Sequence, residues 1–147
     1  MSEPAEFGID LDAVRERIKA LQYFVSVTDV RSAVEAIEEE FATTPAAFVS
    51  VASETGGPNI FVKGAGGHSQ LIECTLSVLF VEQAARFDRL APDQVEQTRK
   101  ALIRQLTAWT PAGAARALEY DRYLPRASGG GLFWGECLFR TRYRLTI

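Results

Sequence analysis

Apolar residues recur along this chain with two different periods, and the changes of period divide it into seven predicted elements. After Asp10, a good N-cap residue, Leu11, Val14, Ile18 and Leu21 fall three and four apart, which predicts a helix with one narrow buried stripe. A second helix is expected after "VTD", capped by Thr28 or Asp29. Val30, Val34, Ile37 and Phe41 make its stripe, Glu38, Glu39 and Glu40 face water, and Pro45 bars its continuation. The period then becomes two. "AAFVSVASE" reads as a strand, and "SQLIECTLSVLFVE" as a longer one, with Ile72, Cys74, Leu76, Val78 and Phe80 on one apolar face and Glu73, Thr75 and Ser77 on the other. Between them "TGGPNIFVKGAGGH" is too rich in glycine for regular packing, although "NIFVK" suits a short extended piece.

Helical spacing returns at Pro92, a good first-turn residue. Val95, Leu102, Leu106 and Trp109 share one face there, and Glu96 and Lys100 are spaced to pair. Beyond Pro111, "ALEYDRYLP" alternates, with Leu118, Tyr120 and Leu124 on one side and Glu119 and Asp121 on the other; a last strand follows the glycines. The order helix, helix, strand, strand, helix, strand, strand predicts α+β architecture in a single domain over 1–147. A mainly antiparallel or mixed sheet is expected, with helices packed on one face.

Composition narrows the function. The 147 residues are 47% hydrophobic and 24% charged with a net charge of −3, which suits a globular protein and argues against a dedicated nucleic-acid binder. "MSEPAEFGID" lacks the basic start and apolar run of a leader, and no apolar stretch is long enough for a bilayer, so neither export nor a membrane partner is expected. Cys74 and Cys137 fall on the apolar sides of predicted strands and read as buried free thiols, not a bridge or metal pair.

Candidate chemistry is sparse. "KGAGGHS" has its lysine before the glycines and a strand after them, the reverse of a phosphate-binding loop. His68 is the only imidazole, which leaves serine and cysteine nucleophiles without a base, and no metal-ligand spacing occurs. No catalytic, cofactor-binding or metal residue is assigned, and an enzyme is not expected. A ligand pocket under the loop from Thr55 to His68 would have only Lys63, His68 and Glu73 to work with.

The last strand carries Arg140, Arg142 and Arg144 at every second position. With Gly130 and Gly131 as a two-residue hairpin turn, Asp121 lies opposite Arg140 and Glu119 opposite Arg142, while Leu118 meets Tyr143 and Leu124 meets Cys137. Arg144, opposite Ala117, is left without a partner. Trp134 and Leu138 share the arginines' face, and two readings stand for them: a neighbouring subunit covers them, or a part of the same chain does. The candidate partner-facing set is therefore Arg144, Trp134, Leu138, Glu73 and Lys63.

The helix ending "LIRQLTAWTP", the strand "ALEYDRYLP", the glycine turn and "LFWGECLFRTRYRL" together resemble the tail terminator family of long-tailed bacteriophages and prophages. "RIKAL", "FVSVTDV" and "TPAAFVSVASE" extend the resemblance over nearly the whole chain, most specifically between Leu102 and Tyr143. Family members often have glycine before the tryptophan, where this chain has Ala108. The resemblance implies a structural subunit without catalysis. Its expected assembly is a homo-hexameric ring that caps the tail tube, stops polymerisation of the major tail-tube protein and offers a surface to head-completion (stopper) proteins. DNA would pass through its lumen without specific binding. It also implies assembly in the host cytoplasm and a place in the tail of a virion or tail-like particle. A head-tail stopper or another minor tail component is the alternative from the same setting.

Overall fold

Asp10 starts the first helix as the spacing predicts: its side chain accepts from the Ala13 amide at 3.2 Å, capping α1 (Leu11–Lys19). Asp12 in the first turn and Arg17 and Lys19 in the last complement the helix dipole, while Val14 and Ile18 are fully buried. The structure, a computed structural model, describes residues 7–29, 44–61, 67–83, 91–129 and 131–147. The helix expected from Val30 to Phe41 and the residue Lys63 lie outside them.

Beyond α1 come β1 (Ser26–Asp29), β2 (Ala46–Gly56), β3 (Ser69–Gln83), α2 (Ala91–Leu106), β4 (Glu119–Gly129) and β5 (Leu132–Thr146). The strands form one sheet in the order β1-β2-β3-β5-β4, with β1 parallel to β2 and every other pair antiparallel. The α+β architecture and the mixed sheet follow the sequence reading. The addition is β1, four residues with Val27 as their single buried position, too short to show a period of its own.

The two described helices pack on one face of the sheet. Val14 and Ile18 of α1 and Leu102 and Leu106 of α2 meet Ala47 and Val49 of β2, the even positions of β3, and Cys137, Phe139 and Tyr143 of β5. The helices are tied to each other as well: Arg17 donates through Nε to the Gln105 carbonyl at 3.0 Å, Gln105 returns a bond to the Arg17 carbonyl at 2.8 Å, and the Arg17 guanidinium lies 5.0 Å over the Trp109 ring. Glu96 pairs with Lys100 at 3.8 Å and more closely with Arg99.

The end of α2 explains the departure at Ala108. This residue has φ of 69°, the left-handed conformation in which helices commonly terminate, and its amide donates at 2.8 Å to the carbonyl of Leu118, the residue just before β4. A Cβ is strained there and a glycine is not.

The hairpin between β4 and β5 begins in the expected register but does not keep it. Gly129 faces Leu132, closing a two-residue turn in which Gly131 has φ of 79°. One extra residue enters β4 between Pro125 and Ser128 and another between Tyr120 and Arg122. Glu119 therefore faces Arg140 rather than Arg142, Leu124 faces Glu136, and Cys137 faces Tyr123. Arg144 faces Leu71 of β3, not Ala117. A tight turn sets register only as far as the first bulge.

Gly135 is a close-packing position. A Cβ there would lie 2.7 Å from the Tyr123 hydroxyl and 2.8 Å from the end of the Phe80 ring. Gly135→Ala is expected to lower unfolding stability by about 1–3 kcal/mol through overpacking, whereas Ala108→Gly should raise it by about 1 kcal/mol by relieving the left-handed strain. Urea denaturation of the two variants against the parent chain measures both, and equal midpoints for all three would refute the assignment.

Candidate functional site

The face of the sheet away from the helices changes character along its length. At one end Ala46 and Phe48 of β2, Leu79 and Val81 of β3 and Trp134 of β5 form a second buried apolar cluster, with Phe48 stacked on Trp134 at 6.1 Å between ring centres. Trp134 is 6% exposed and Leu138 4% exposed, so the chain itself already covers both. The sequence left them open to either reading, and as surface anchors for a neighbour they are not available in this subunit.

In the middle of that face Glu136 is buried at 3% exposure. Its carboxylate accepts from the Ser77 hydroxyl and from Arg126, whose Nε lies 2.8 Å away. Ser77, expected to look outward, does share the face of Glu73 but is buried beside this carboxylate. The Arg126 head reaches solvent, so the pair keeps a hydrated cation against a buried anion.

The far end is charged and open. Arg142 donates to Glu73 of β3 at 2.7 Å, which corrects the expected Glu119–Arg142 pair. The other expected pair forms in altered geometry, with the Asp121 carboxylate, on the bulge, 3.6 Å from Arg140 Nε. Glu119 instead has Arg116 at 3.8 Å. Arg144, read as unpartnered, donates to the Ser69 hydroxyl at 2.7 Å. Exposed pairs of this kind contribute ~0.2–1 kcal/mol each. Thr55, Glu73, Thr75, Arg116, Arg140 and Arg142 surround a shallow polar hollow of about 140 Å³ at this end.

The loop from Thr55 to His68 is tied down at its described ends. Ser69 and Phe61 amides donate to the Asn59 side chain, and the His68 and Ile147 backbones exchange two bonds of 2.9 Å. The His68 ring hydrogen-bonds Gln70, its neighbour two residues on. Lys63 lies outside the described residues. Ile60, Phe61 and Ile147 are exposed at this end. Among the described residues no cluster of His, Cys and carboxylates could hold a metal ion.

Sequence reasoning missed Glu82. It is an even-position residue of β3, so it points to the helix face, where it is 1% exposed. Its Oε1 accepts from the Tyr23 and Thr98 hydroxyls, and Gln94 donates to the Tyr23 oxygen at 3.0 Å. Its Oε2 is buried without a hydrogen-bond partner among the described residues. Burial, followed by the hydrogen bond to Glu82, raises the Tyr23 pKa. The signal was available: a carboxylate continuing the run Ile72, Cys74, Leu76, Val78 and Phe80 must be buried.

Between the end of α1 and α2 a groove of about 550 Å³ opens over this network, walled by Leu21, Tyr23, Phe24, Gln97, Ala101 and Asp93.

Both cysteines are free and buried, and burial pushes each thiol pKa up to about 12 from the usual value of 9.0. Neither thiol should react with Ellman's reagent at pH 8 until the chain unfolds, when both should. Because the folded pKa values are raised, their contribution to stability is intact below pH 9.0 and lost as pH rises toward about 12. Urea titrations across that window check the sign; stability rising with pH there would contradict it.

Comparison with known proteins accords with this architecture. A chain in the virion of a native gene transfer agent particle superposes with a TM-score of 0.54 over 94% of this chain and 96% of that one, at 18% identity, so the two share a fold. No match is found among curated proteins. The family model for phage tail terminator proteins matches residues 6–147, and the chain belongs to that family.

Proposed function

We propose that this protein is the tail terminator of a tailed phage or phage-like particle. It assembles as a ring, six-fold by the family resemblance, on the last ring of the tail tube, ends tube polymerisation and offers its outer surface to head-completion proteins. The family match over residues 6–147 carries the reading. The shared fold with a chain of a gene transfer agent virion supports it, because both chains are covered almost completely.

The charged end of the sheet is the part of the described surface suited to protein contact. Arg140, Arg142 and Arg144 stand exposed or half-exposed beside Glu73 and Glu119, giving a mixed pattern that specifies orientation more than affinity. Of the partner-facing residues expected from sequence, Arg144 and Glu73 belong to this surface. Interleaved carboxylates make it a poor track for a phosphate backbone, consistent with DNA passing through a lumen without being gripped. Assembly in the host cytoplasm and residence in the finished tail follow from this role.

Mixing the purified protein with tail tubes should give annuli with six-fold symmetry at tube ends by negative-stain microscopy, and tubes of fixed length when the protein is present during polymerisation. A protein that stays monomeric at high concentration and leaves tube length unregulated would overturn the reading. Binding only to the head connector, with no effect on tubes, would transfer it to the stopper role.

A further inference from the structure

We infer that the groove between α1 and α2 is an acidic socket for the arginine end of a second copy of this chain, so that the two surfaces meet head to tail around the assembly. The inference rests on the ring reading above and names the surfaces that would join neighbours.

The socket begins with Glu82. Every described donor to this buried carboxylate is a neutral hydroxyl, from Tyr23 or Thr98, and Oε2 has no donor among the described residues. No salt bridge reaches it among the described residues. The described residues place no cation beside this carboxylate, so its charge favours a cation entering the groove. Tyr23, Gln94 and Thr98, which form the network around Glu82, also line the groove, and among the described residues the one charged group on its wall is another acid, Asp93. Leu21, Phe24 and Ala101 supply apolar walls. Negative potential over apolar walls suits an arginine, whose stem packs on carbon while its head seeks acceptors.

The matching surface lies at the other end of the sheet, on the opposite face. Arg116, Arg122 and Arg140 each have a carboxylate 3.6–3.9 Å away, but none makes a side-chain hydrogen bond among the described residues. Their donors are thus unfilled while being held in place by loose ionic contacts. Arg116, Arg122, Arg140, Arg142 and Arg144 against Glu73, Glu119 and Asp121 give this end +2, so with −3 on the whole chain the remainder carries −5. A copy of this chain is therefore a suitable anionic partner for its own arginine end.

The placement of the two patches favours a head-to-tail contact. Glu73 and Glu82 are nine positions apart on β3, roughly 30 Å along an extended strand, and project to opposite faces. Two different patches so far apart pair heterologously, the arrangement that generates rings when the rotation closes. Nucleic acid fits neither patch well: Glu82 and Asp93 repel it at the socket, and Glu73 and Glu119, both more than 60% exposed, interrupt the arginines.

Charge reversal tests the pairing. Asp93→Arg and Arg140→Glu should each weaken self-association by about tenfold or more, and the double variant Asp93→Arg/Arg140→Glu should recover most of it, as read by sedimentation velocity at matched concentrations. Glu82→Gln, which keeps an acceptor for Tyr23 and Thr98 but removes the charge, should also weaken association. Thermal unfolding of each variant separates a lost contact from a lost fold. Full-strength association of the single variants, or a double variant no better than the weaker single, overturns the pairing while leaving the ring reading intact. A parent chain that never associates, alone or on tail tubes, overturns both.

Discussion

The uninterrupted ladder between β3 and β5 is the constraint on which the other elements depend. All 15 residues of β3 are paired with β5 in one constant register, from Ser69 opposite Thr146 to Gln83 opposite Leu132. With no irregularity between them, the two strands keep a strict alternation, and each side chain is assigned to one face for the whole length. Even positions of β3 and odd positions of β5 make the floor on which both helices sit. The remaining positions make the second face, which runs from apolar through buried polar to charged.

Two carboxylates buried by this alternation are resolved differently. Glu136 on the second face has a guanidinium and a hydroxyl, and its cation stays partly in water. Among the described residues Glu82 on the helix face has hydroxyls alone and an oxygen without a donor. A buried charge without a counter-charge is costly, and folds that keep one commonly do so at a working surface. The contrast lies within one sheet, so it does not follow from sheet architecture as such.

Much of the architecture was legible in the sequence because it rests on period. The stripe of α1, the alternation of β3 and the face of α2 are long enough to show which positions are buried. The family resemblance also rested on structural motifs of the C-terminal half, and the match to the tail terminator model bears it out. What period does not encode is insertion. The residues added to β4 at Asp121 and between Pro125 and Ser128 moved Glu119 from Arg142 to Arg140 and gave Arg142 to Glu73 on a strand the hairpin argument ignored. Trp134 and Leu138 could not be assigned a cover from alternation alone, because a sheet face says nothing about what lies over it. Ala108 was visible only as a departure; its left-handed backbone supplies the reason.

The positions of the irregularities have a consequence for how the fold accommodates change. In the described antiparallel pairs, each extra residue sits on a flanking strand, at Ala52 of β2 or on β4, and none sits on β3 or β5. A residue gained or lost at those bulges shifts the outer strand by one step while the central pair and the helices above it keep their places. Lineages can thus rewrite the charge pattern at the rim of the sheet by insertion and deletion, without first finding compensations in the core.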